Sequence, residues 1–217
     1  MTTRRTGLRE QKKQATREAL REAALRLALT RGPENVRVDD IAEAAGVSPR
    51  TYNNYFSSRE QAIVAAVTAE REARIAAAVT ARPVGIGLAH AVVEAIVEHY
   101  TDPGEQHRDA LLLITTRPEL REAFIDTTSE IERPLADAIT QRISDTDPHT
   151  ARVLAASVAA AIRVALDQWV QPRIASPAAG ELVVPSGSLP DLLRAALAPL
   201  APALDAAEQR TRQRQPR

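Results

Sequence analysis

Apolar residues recur at helical spacing along most of the chain, and this pattern predicts an all-α protein. The first predicted helix spans residues 8–31, where Leu20, Ala23 and Leu27 follow the i, i+3, i+7 spacing of one helix face. A Gly-Pro pair at 32–33 ends it, because glycine accepts the left-handed cap and proline does not continue a helix.

Two short predicted helices follow, and a glycine joins them. The first spans about 38–45, and Gly46 supplies the tight turn after it. Ser48 caps the next helix, and Pro49 occupies its first position, where the missing N–H has no helical partner to lose. The pattern predicts a helix-turn-helix that ends near Phe56, with a helical hairpin inside a larger bundle as the alternative.

Longer helices are predicted over the rest of the chain. Ser57 or Ser58 caps a fourth helix, which is expected to run unbroken to about Ala81. The segment 172–188 is rich in Pro, Gly and Ser and is predicted to be a loop, and a polar, basic tail from about 206 is predicted to be disordered. The further predicted helices lie near 87–100, 106–116, 119–143, 150–171 and 189–204.

Composition supports helices and excludes several kinds of chemistry. Alanine and leucine are abundant and aromatic residues make up only 3% of the chain, which favours helices over strands. The chain has no cysteine, so disulfides, thiolate metal sites and cysteine nucleophiles are excluded. No apolar run approaches the roughly 20 residues of a membrane span, and no apolar segment follows the N-terminal charges. These features predict a cytoplasmic protein that does not bind membranes.

Charge is distributed unevenly along a chain whose formal net charge is zero. Residues 1–60 carry 12 Lys or Arg and 8 Asp or Glu, and six of those basic residues lie within 1–17. A basic end on a mildly acidic body is typical of a protein that binds nucleic acid through that end. A solvated, frayed terminus is the alternative that charge alone leaves open.

The exposed face of the second short helix carries side chains that suit DNA. Such a helix enters a major groove about 12 Å wide, and its N-terminal residues reach base edges. Arg50, Thr51, Asn53 and Asn54 are expected on this face, and the hydroxyl of Tyr55 is expected to reach a phosphate.

The stretch VDDIAEAAGVSPRTYNNYFSSRE, residues 38–60, resembles the N-terminal signature of the TetR family of repressors. The preceding stretch GLREQKKQATREAL, residues 7–20, resembles the same family. Two positions depart from the family pattern, because Arg37 replaces a Thr or Ser that caps the second helix and Asn53 replaces an aromatic. The exposed face and the resemblance together give the candidate DNA-contacting residues. They are Arg37, Ser48, Arg50, Thr51, Tyr52, Asn53, Asn54, Tyr55 and Arg59.

The resemblance implies a division into a DNA-binding domain over 1–56 and a ligand-binding and dimerisation domain over 57–205, followed by the tail at 206–217. It implies a homodimer on an inverted-repeat operator, with a small-molecule effector that releases the DNA. Several short segments are similar to a branch of the family with acyl-CoA-like ligands, namely 8–13, 47–51, 118–121 and 166–169. The effector is therefore expected to be apolar or acyl-CoA-like.

Candidate ligand-contacting residues are few, and each has a simpler explanation. They are His99, His107, Arg117, Arg121 and Trp169. Isolated histidines are more often core or surface residues, and the two arginines have nearby glutamates with which to pair. No histidine has the Glu-x-x-His spacing of a di-iron bundle, so neither a metal nor a cofactor nor a catalytic set is predicted.

Surplus apolar surface on two late helices predicts a dimer. The helix near 150–171 is apolar on most sides, and with the helix near 189–204 it is expected to form the dimer contact. Glutamate at Val158 or Ala196 is expected to weaken that contact. Two alternatives remain open for the whole protein: a helix-turn-helix protein without an effector, and a helical protein or enzyme that handles lipids or acyl-CoA.

Overall fold

The structure is a computed structural model of the 217-residue chain. It describes residues 3–69, 71–83, 85–101, 108–143, 147–170 and 188–214. Within these ranges the regular secondary structure is helical and no residue lies in a β-strand, so the prediction of an all-α fold is confirmed. His107 and the predicted loop at 172–187 lie outside the described residues.

Twelve α-helices account for most of the described residues. They are α1 (Thr3–Arg31), α2 (Val38–Ala44), α3 (Pro49–Tyr52), α4 (Arg59–Thr68), α5 (Arg71–Ala81), α6 (Leu88–Thr101), α7 (Arg108–Thr116), α8 (Pro118–Asp126), α9 (Glu132–Arg142), α10 (Pro148–Val170), α11 (Leu189–Leu197) and α12 (Ala201–Arg214). Short 3₁₀ turns lie at Pro33–Asn35, Thr127–Ile131 and Ala198–Leu200.

The chain contacts group into two compact units, and the first contains the helix-turn-helix. It comprises 3–69 and 108–127 of the described residues. In it α1 packs against α2 and α4, and α8 packs against α4 and α7. Helices from both sides of residue 57 contribute to this unit, because α4 and α7 pack against α1, and α8 packs against α4 and α7. The division into domains at residue 57 stays a prediction.

The second unit comprises α5, α6 and α9 to α12. Its core is aliphatic, and α5 packs against α6 and α9, while α10 packs against α9 and α11. The guanidinium of Arg142, at the end of α9, donates hydrogen bonds to the backbone carbonyl oxygens of Val79, Arg82, Pro83 and Ile86. One side chain thus satisfies the carbonyl oxygens at the end of α5 and in the turn that follows.

The prediction of one unbroken fourth helix is wrong. The helix α4 ends at Thr68 and α5 begins at Arg71, although neither glycine nor proline lies between them. The two helices have different neighbours, since α4 packs in the first unit and α5 in the second. Tertiary packing, which a local sequence pattern does not contain, therefore sets this boundary.

Proline explains two further interruptions of predicted helices. The predicted helix over 119–143 becomes α8, a 3₁₀ turn and α9, and Pro134 lies in the first turn of α9. The predicted helix over 189–204 is divided by the 3₁₀ turn that contains Pro199. Proline lacks the N–H that the helical ladder needs. Pro134 is therefore placed in the first turn of α9, where its N–H would have no partner within the helix, and α12 begins only after Pro199.

The C-terminal helix extends beyond the point at which a disordered tail was expected. The helix α12 continues to Arg214, and Leu204 and Ala207 are buried. Asp205 and Glu208 accept hydrogen bonds from the backbone N–H groups of Ala89 and Leu88 at 3.2 and 3.1 Å. These carboxylates satisfy unpaired N–H groups at the start of α6, which stabilises both helices.

By length and composition α10 is the one described helix that matches a membrane span. Core helices of water-soluble domains pass the same test. One face of α10 is buried against α9 and α11, and its other face carries Arg152, Arg163 and Asp167. These contacts and charges fit a helix that covers the core of the second unit.

Candidate nucleic-acid interface

The turn between α2 and α3 has the geometry that its glycine predicts. Gly46 has a φ of 69°, in the left-handed region that favours glycine. The N–H of Val47 donates to the carbonyl oxygen of Ala42 at 2.9 Å, which closes the turn. A Cβ on Gly46 would meet no other atom within 4 Å, so the position needs glycine for its backbone angle and not for space.

Capping residues fix where α3 begins. The Ser48 hydroxyl oxygen accepts a hydrogen bond from the N–H of Thr51 at 3.1 Å, and Pro49 follows at the first helical position. This confirms the predicted cap. The helix itself spans four residues. Beyond it the chain continues in tighter turns, in one of which the N–H of Asn54 donates to the carbonyl oxygen of Thr51 at 3.1 Å.

Two aromatic side chains attach the recognition segment, defined here as residues 48–56, to the core of the first unit. Tyr52 and Phe56 are buried, and their ring centroids lie 5.8 Å apart. The Tyr52 hydroxyl donates to the carbonyl oxygen of Ser58 at 2.7 Å. The guanidinium of Arg17 lies 5.7 Å from the centroid of the Phe56 ring, a contact that joins α1 to this segment.

The placement of Tyr52 corrects its inclusion among the DNA-contacting candidates. No part of its side chain is exposed, and burial raises the pKa of its hydroxyl well above the ordinary value, with the charge of Glu60 adding to the effect. A buried hydroxyl that already donates to a backbone carbonyl has no role at the surface. Tyr52 therefore positions the recognition segment and is not a DNA contact in this structure.

The outward face of the recognition segment brings most of the candidate residues together. Ser48, Arg50, Asn53 and Asn54 are exposed, and Thr51 and Tyr55 are half-buried. Guanidinium, amide and hydroxyl groups on one short protruding segment offer both donors and acceptors to base edges and phosphates. This is the arrangement that a major-groove reader requires.

Arg37 and Arg59 lie at the edges of this face. Arg37 precedes α2 and its side chain is exposed, while its backbone N–H donates to Asp40 Oδ2 at 2.9 Å. An aspartate inside the helix thus provides the cap at the position where the family pattern has Thr or Ser. Arg59 instead donates to the carbonyl oxygens of Glu34 and Val36 at 3.2 and 2.9 Å, so its guanidinium joins α4 to the chain before α2.

Basic side chains on α1 add charge to the first unit. Arg9, Lys12 and Lys13 are exposed. The helix predicted over residues 8–31 contains these three residues, and in the structure that helix begins five residues earlier, at Thr3. The packing of Arg17 over Phe56 was missed, because the two residues are 39 positions apart in the sequence.

The described candidate ligand residues are divided between the two units. Arg117 and Arg121 lie on or beside α8 in the first unit, and Arg117 Nη1 pairs with Glu34 Oε2 at 3.7 Å. His99 and Trp169 lie in the second unit, where His99 is half-buried and Trp169 is 39% exposed. Among the described residues, no group of three or more His, Asp or Glu could hold a metal ion.

A groove of about 620 Å³ lies between α9 and α10 in the second unit. Its lining combines small apolar side chains with charges of both signs, and it contains none of the candidate ligand residues. The lining residues are Glu132, Arg133, Ala136, Asp137, His149, Arg152, Val153 and Ala156.

Comparison with known proteins matches two regions of the chain. Residues 20–66 match the model of bacterial regulatory proteins of the tetR family, and residues 82–205 match the MftR C-terminal domain. The HTH-type transcriptional regulator TcmR of Streptomyces glaucescens is 31% identical over 174 residues, which cover 75% of this chain and 76% of TcmR. The first match contains the whole recognition segment.

Proposed function

Because the chain belongs to the TetR family of transcriptional regulators, we propose that it is a cytoplasmic repressor that binds an inverted-repeat operator as a homodimer. A small apolar or acyl-CoA-like effector, bound in the C-terminal part of the chain, releases the DNA. The observation that carries the DNA-binding role is the exposed polar face of the recognition segment, whose opposite face is fixed by the buried Tyr52 and Phe56.

The recognition segment supports a mode of binding. Arg50, Asn53 and Asn54 face solvent at the first and following turns of the segment, where side chains of a recognition helix reach base edges. Tyr55 and the basic side chains of α1 supply phosphate contacts. Two copies whose recognition segments lie about 34–36 Å apart fit successive major grooves of one face of the DNA.

Dimerisation is assigned to the exposed face of α10. Val153 and Val164 are 51% and 62% exposed, and Ala160 between them is also exposed. Their spacing of seven and four residues places them on one stripe of the helix. The sequence suggested Val158 as a probe of the dimer contact, but Val158 is buried inside its own unit. Glutamate at this position therefore disturbs the packing of the core and does not test the dimer contact.

The proposed switch is a two-state equilibrium. The effector lowers operator affinity only as far as it binds the released state more tightly than the DNA-bound state. A continuous helix from head to body was expected to act as a lever. Since α4 and α5 are separate helices, the proposal does not depend on that lever.

Selection of DNA from a randomised pool by the full-length protein tests the operator. An inverted repeat with half-site centres one helical turn apart is expected. Fluorescence anisotropy on the selected DNA should show affinity falling roughly 10³- to 10⁵-fold between about 50 and 200 mM salt. Arg50→Ala should weaken binding, whereas the control Arg74→Ala, which also removes an exposed arginine but lies on α5, should not. Salt-independent binding, or equal loss in both variants, contradicts the proposal.

Titration with acyl-CoA tests the effector, with coenzyme A alone as the control. Operator release is expected at the concentrations at which calorimetry shows acyl-CoA binding. Binding of acyl-CoA without release of the operator contradicts the switch. If no tested molecule releases the operator, the result supports a helix-turn-helix protein that binds DNA constitutively. Chemical turnover of acyl-CoA would support the alternative of a helical enzyme.

A further inference from the structure

Two charged residues at the start of α5 are buried in the second unit. Arg71 and Glu72 are only 6% and 4% exposed. Arg71 Nε and Nη2 both donate to Glu72 Oε1, at 3.3 and 3.1 Å. Burying an ion pair is costly in free energy unless the remaining polar atoms also have partners, so this pair calls for an explanation.

Tyr100, in the last turn of α6, lies against this pair. The guanidinium carbon of Arg71 is 3.9 Å from the centroid of the Tyr100 ring, a close cation–π stack. Tyr100 is 7% exposed, and burial raises the pKa of its hydroxyl to about 12. Arg71, Glu72 and Tyr100 are named here the buried polar cluster.

Two oxygens of the buried polar cluster have no hydrogen-bond partner among the residues that the structure describes. They are Glu72 Oε2 and the Tyr100 hydroxyl, and solvent reaches neither. Buried polar groups are almost always paired, because an unpaired one loses its hydration without compensation. Tyr52, the other buried tyrosine, shows the ordinary situation, since its hydroxyl donates to a carbonyl oxygen at 2.7 Å.

We propose that the buried polar cluster is the polar end of the effector site and that it takes a neutral molecule with a hydroxyl group on an apolar body. The hydroxyl donates to Glu72 Oε2 and accepts from the Tyr100 hydroxyl, which satisfies both oxygens. This inference rests on the proposed function, because it names the chemistry of the effector for that same site. The cluster is closed in this structure, so the ligand separates packed side chains as it enters.

Charge excludes an anionic group at this position. Burial raises the pKa of Glu72 even though Arg71 lies beside it, and the charge of Glu130 adds to the rise. Arg71 already balances the charge of Glu72, so a second anion at this position would lack a counter-charge from this pair. A carboxylate or phosphate here would face Glu72 and Glu130 in a site of low dielectric. The charged end of an acyl-CoA therefore does not bind at the cluster.

The surroundings of the cluster suit the apolar body of such a ligand. Ile75 lies one helical turn after Glu72, and Ile96 lies one turn before Tyr100. Neither isoleucine is exposed, and the helices α5 and α6 that carry them pack against each other. An alkyl or aromatic group that extends from the hydroxyl would meet aliphatic side chains.

Calorimetry on the full-length protein with 1-octanol and with octanoate tests the ligand chemistry, because the two probes share an alkyl chain and differ in the polar group. Octanol is expected to bind at least about tenfold more tightly than octanoate, the equivalent of one hydrogen bond. Tyr100→Phe should weaken octanol binding by about tenfold and leave octanoate unchanged. Glu72→Gln should reduce the preference for octanol, because the charge that repels octanoate is gone.

Tyr55→Phe and Tyr52→Phe serve as controls, since each removes a tyrosine hydroxyl in the first unit and should not alter octanol affinity. The melting temperature without ligand gives a second readout. Tyr100→Phe should keep or raise it, because the removed hydroxyl has no partner, whereas Tyr52→Phe should lower it. Failure of octanol to bind up to its solubility limit, equal octanol affinity in wild type and Tyr100→Phe, or a melting temperature lowered equally in both buried-tyrosine variants overturns the inference.

Operator binding by the same variants separates this inference from the proposed function. Tyr100→Phe without ligand should bind the operator as wild type does. A protein that binds octanol through Tyr100 but binds no DNA contradicts the proposed function and leaves the site intact. A protein that binds its operator but shows no effect of Tyr100→Phe on octanol contradicts the site alone.

Discussion

At the scale of the residue, Tyr52 shows how a buried hydroxyl determines where an exposed surface lies. Its ring packs against Phe56, and its hydroxyl bonds to the carbonyl oxygen of Ser58 just before α4. The recognition segment is therefore attached at both the aromatic contact and the hydrogen bond. Arg50 and Asn53 owe their position at the surface to this attachment.

Tyr52→Phe is expected to lower the free energy of unfolding by about 1 kcal/mol, because the carbonyl oxygen of Ser58 loses one of its two donors while the ring remains. Urea denaturation followed by circular dichroism measures the change. Tyr55→Phe is the matched control, since Tyr55 is half-buried and its hydroxyl has no such bond among the described residues. An equal loss in both variants would show that the Ser58 contact contributes nothing.

Asn53→Ala is expected to cost about 1–3 kcal/mol on the preferred operator if its amide reads the N6 and N7 edge of adenine. Asn53 is exposed at the end of α3, at the position where the family pattern has an aromatic. Selection from randomised half-sites should then show relaxed preference at one base pair, with non-specific affinity unchanged. The neighbouring Asn54→Ala serves as a comparison. If the sequence preference is unchanged, Asn53 contacts phosphate or solvent and does not read a base.

At the scale of the element, helix ends in the second unit are satisfied by side chains distant in sequence. Arg142 bonds to carbonyl oxygens at the end of α5 and in the turn that follows, and Asp205 and Glu208 bond to N–H groups at the start of α6. Helices whose ends are paired in this way depend on one another. The loss of α12 therefore weakens α6 as well.

Deletion of residues 206–217 is expected to lower the free energy of unfolding by roughly 2 kcal/mol, because it removes the Glu208 hydrogen bond to Leu88 and the buried Ala207. A disordered tail would have no such effect. Deletion of 211–217 keeps both residues and should change the stability by less than about 0.5 kcal/mol. Thermal and urea denaturation of the two truncated proteins decide the matter, and equal stability would contradict the role of α12.

At the scale of the whole molecule, α10 carries apolar surface that one copy leaves exposed. Val153 and Val164 are more than half exposed, whereas Val158 and Ile162 on the opposite face are buried. Exposed apolar stripes on a helix are characteristic of surfaces that associate. A second copy would cover the stripe and place two recognition segments on one DNA.

Val164→Glu is expected to shift the protein from dimer towards monomer, because a charge at the centre of an apolar contact is left without solvent or partner. Light scattering after size-exclusion chromatography at micromolar concentration measures the shift. Leu29→Glu is the matched control, since Leu29 is 48% exposed on α1 in the other unit and should leave the mass unchanged. A wild-type protein that is monomeric at every concentration would refute the dimer.

The sequence by itself determined the features that depend on neighbouring residues. The left-handed turns at Gly32 and Gly46 and the Ser48 cap follow from backbone preferences within a few residues. The same local pattern carried the family resemblance, so the all-α fold and the DNA-binding class were predictable without a structure. The exposed face of the recognition segment followed as well.

Only the tertiary structure decided the features that join distant parts of the chain. It divided the predicted fourth helix after Thr68, extended α12 to Arg214 and determined which face of the largely apolar α10 is buried. It also brought Glu72 to Tyr100 and left an oxygen of each unpaired. Helical periodicity states which side chains share a face, but the partner of that face is set by packing between residues that are far apart in sequence.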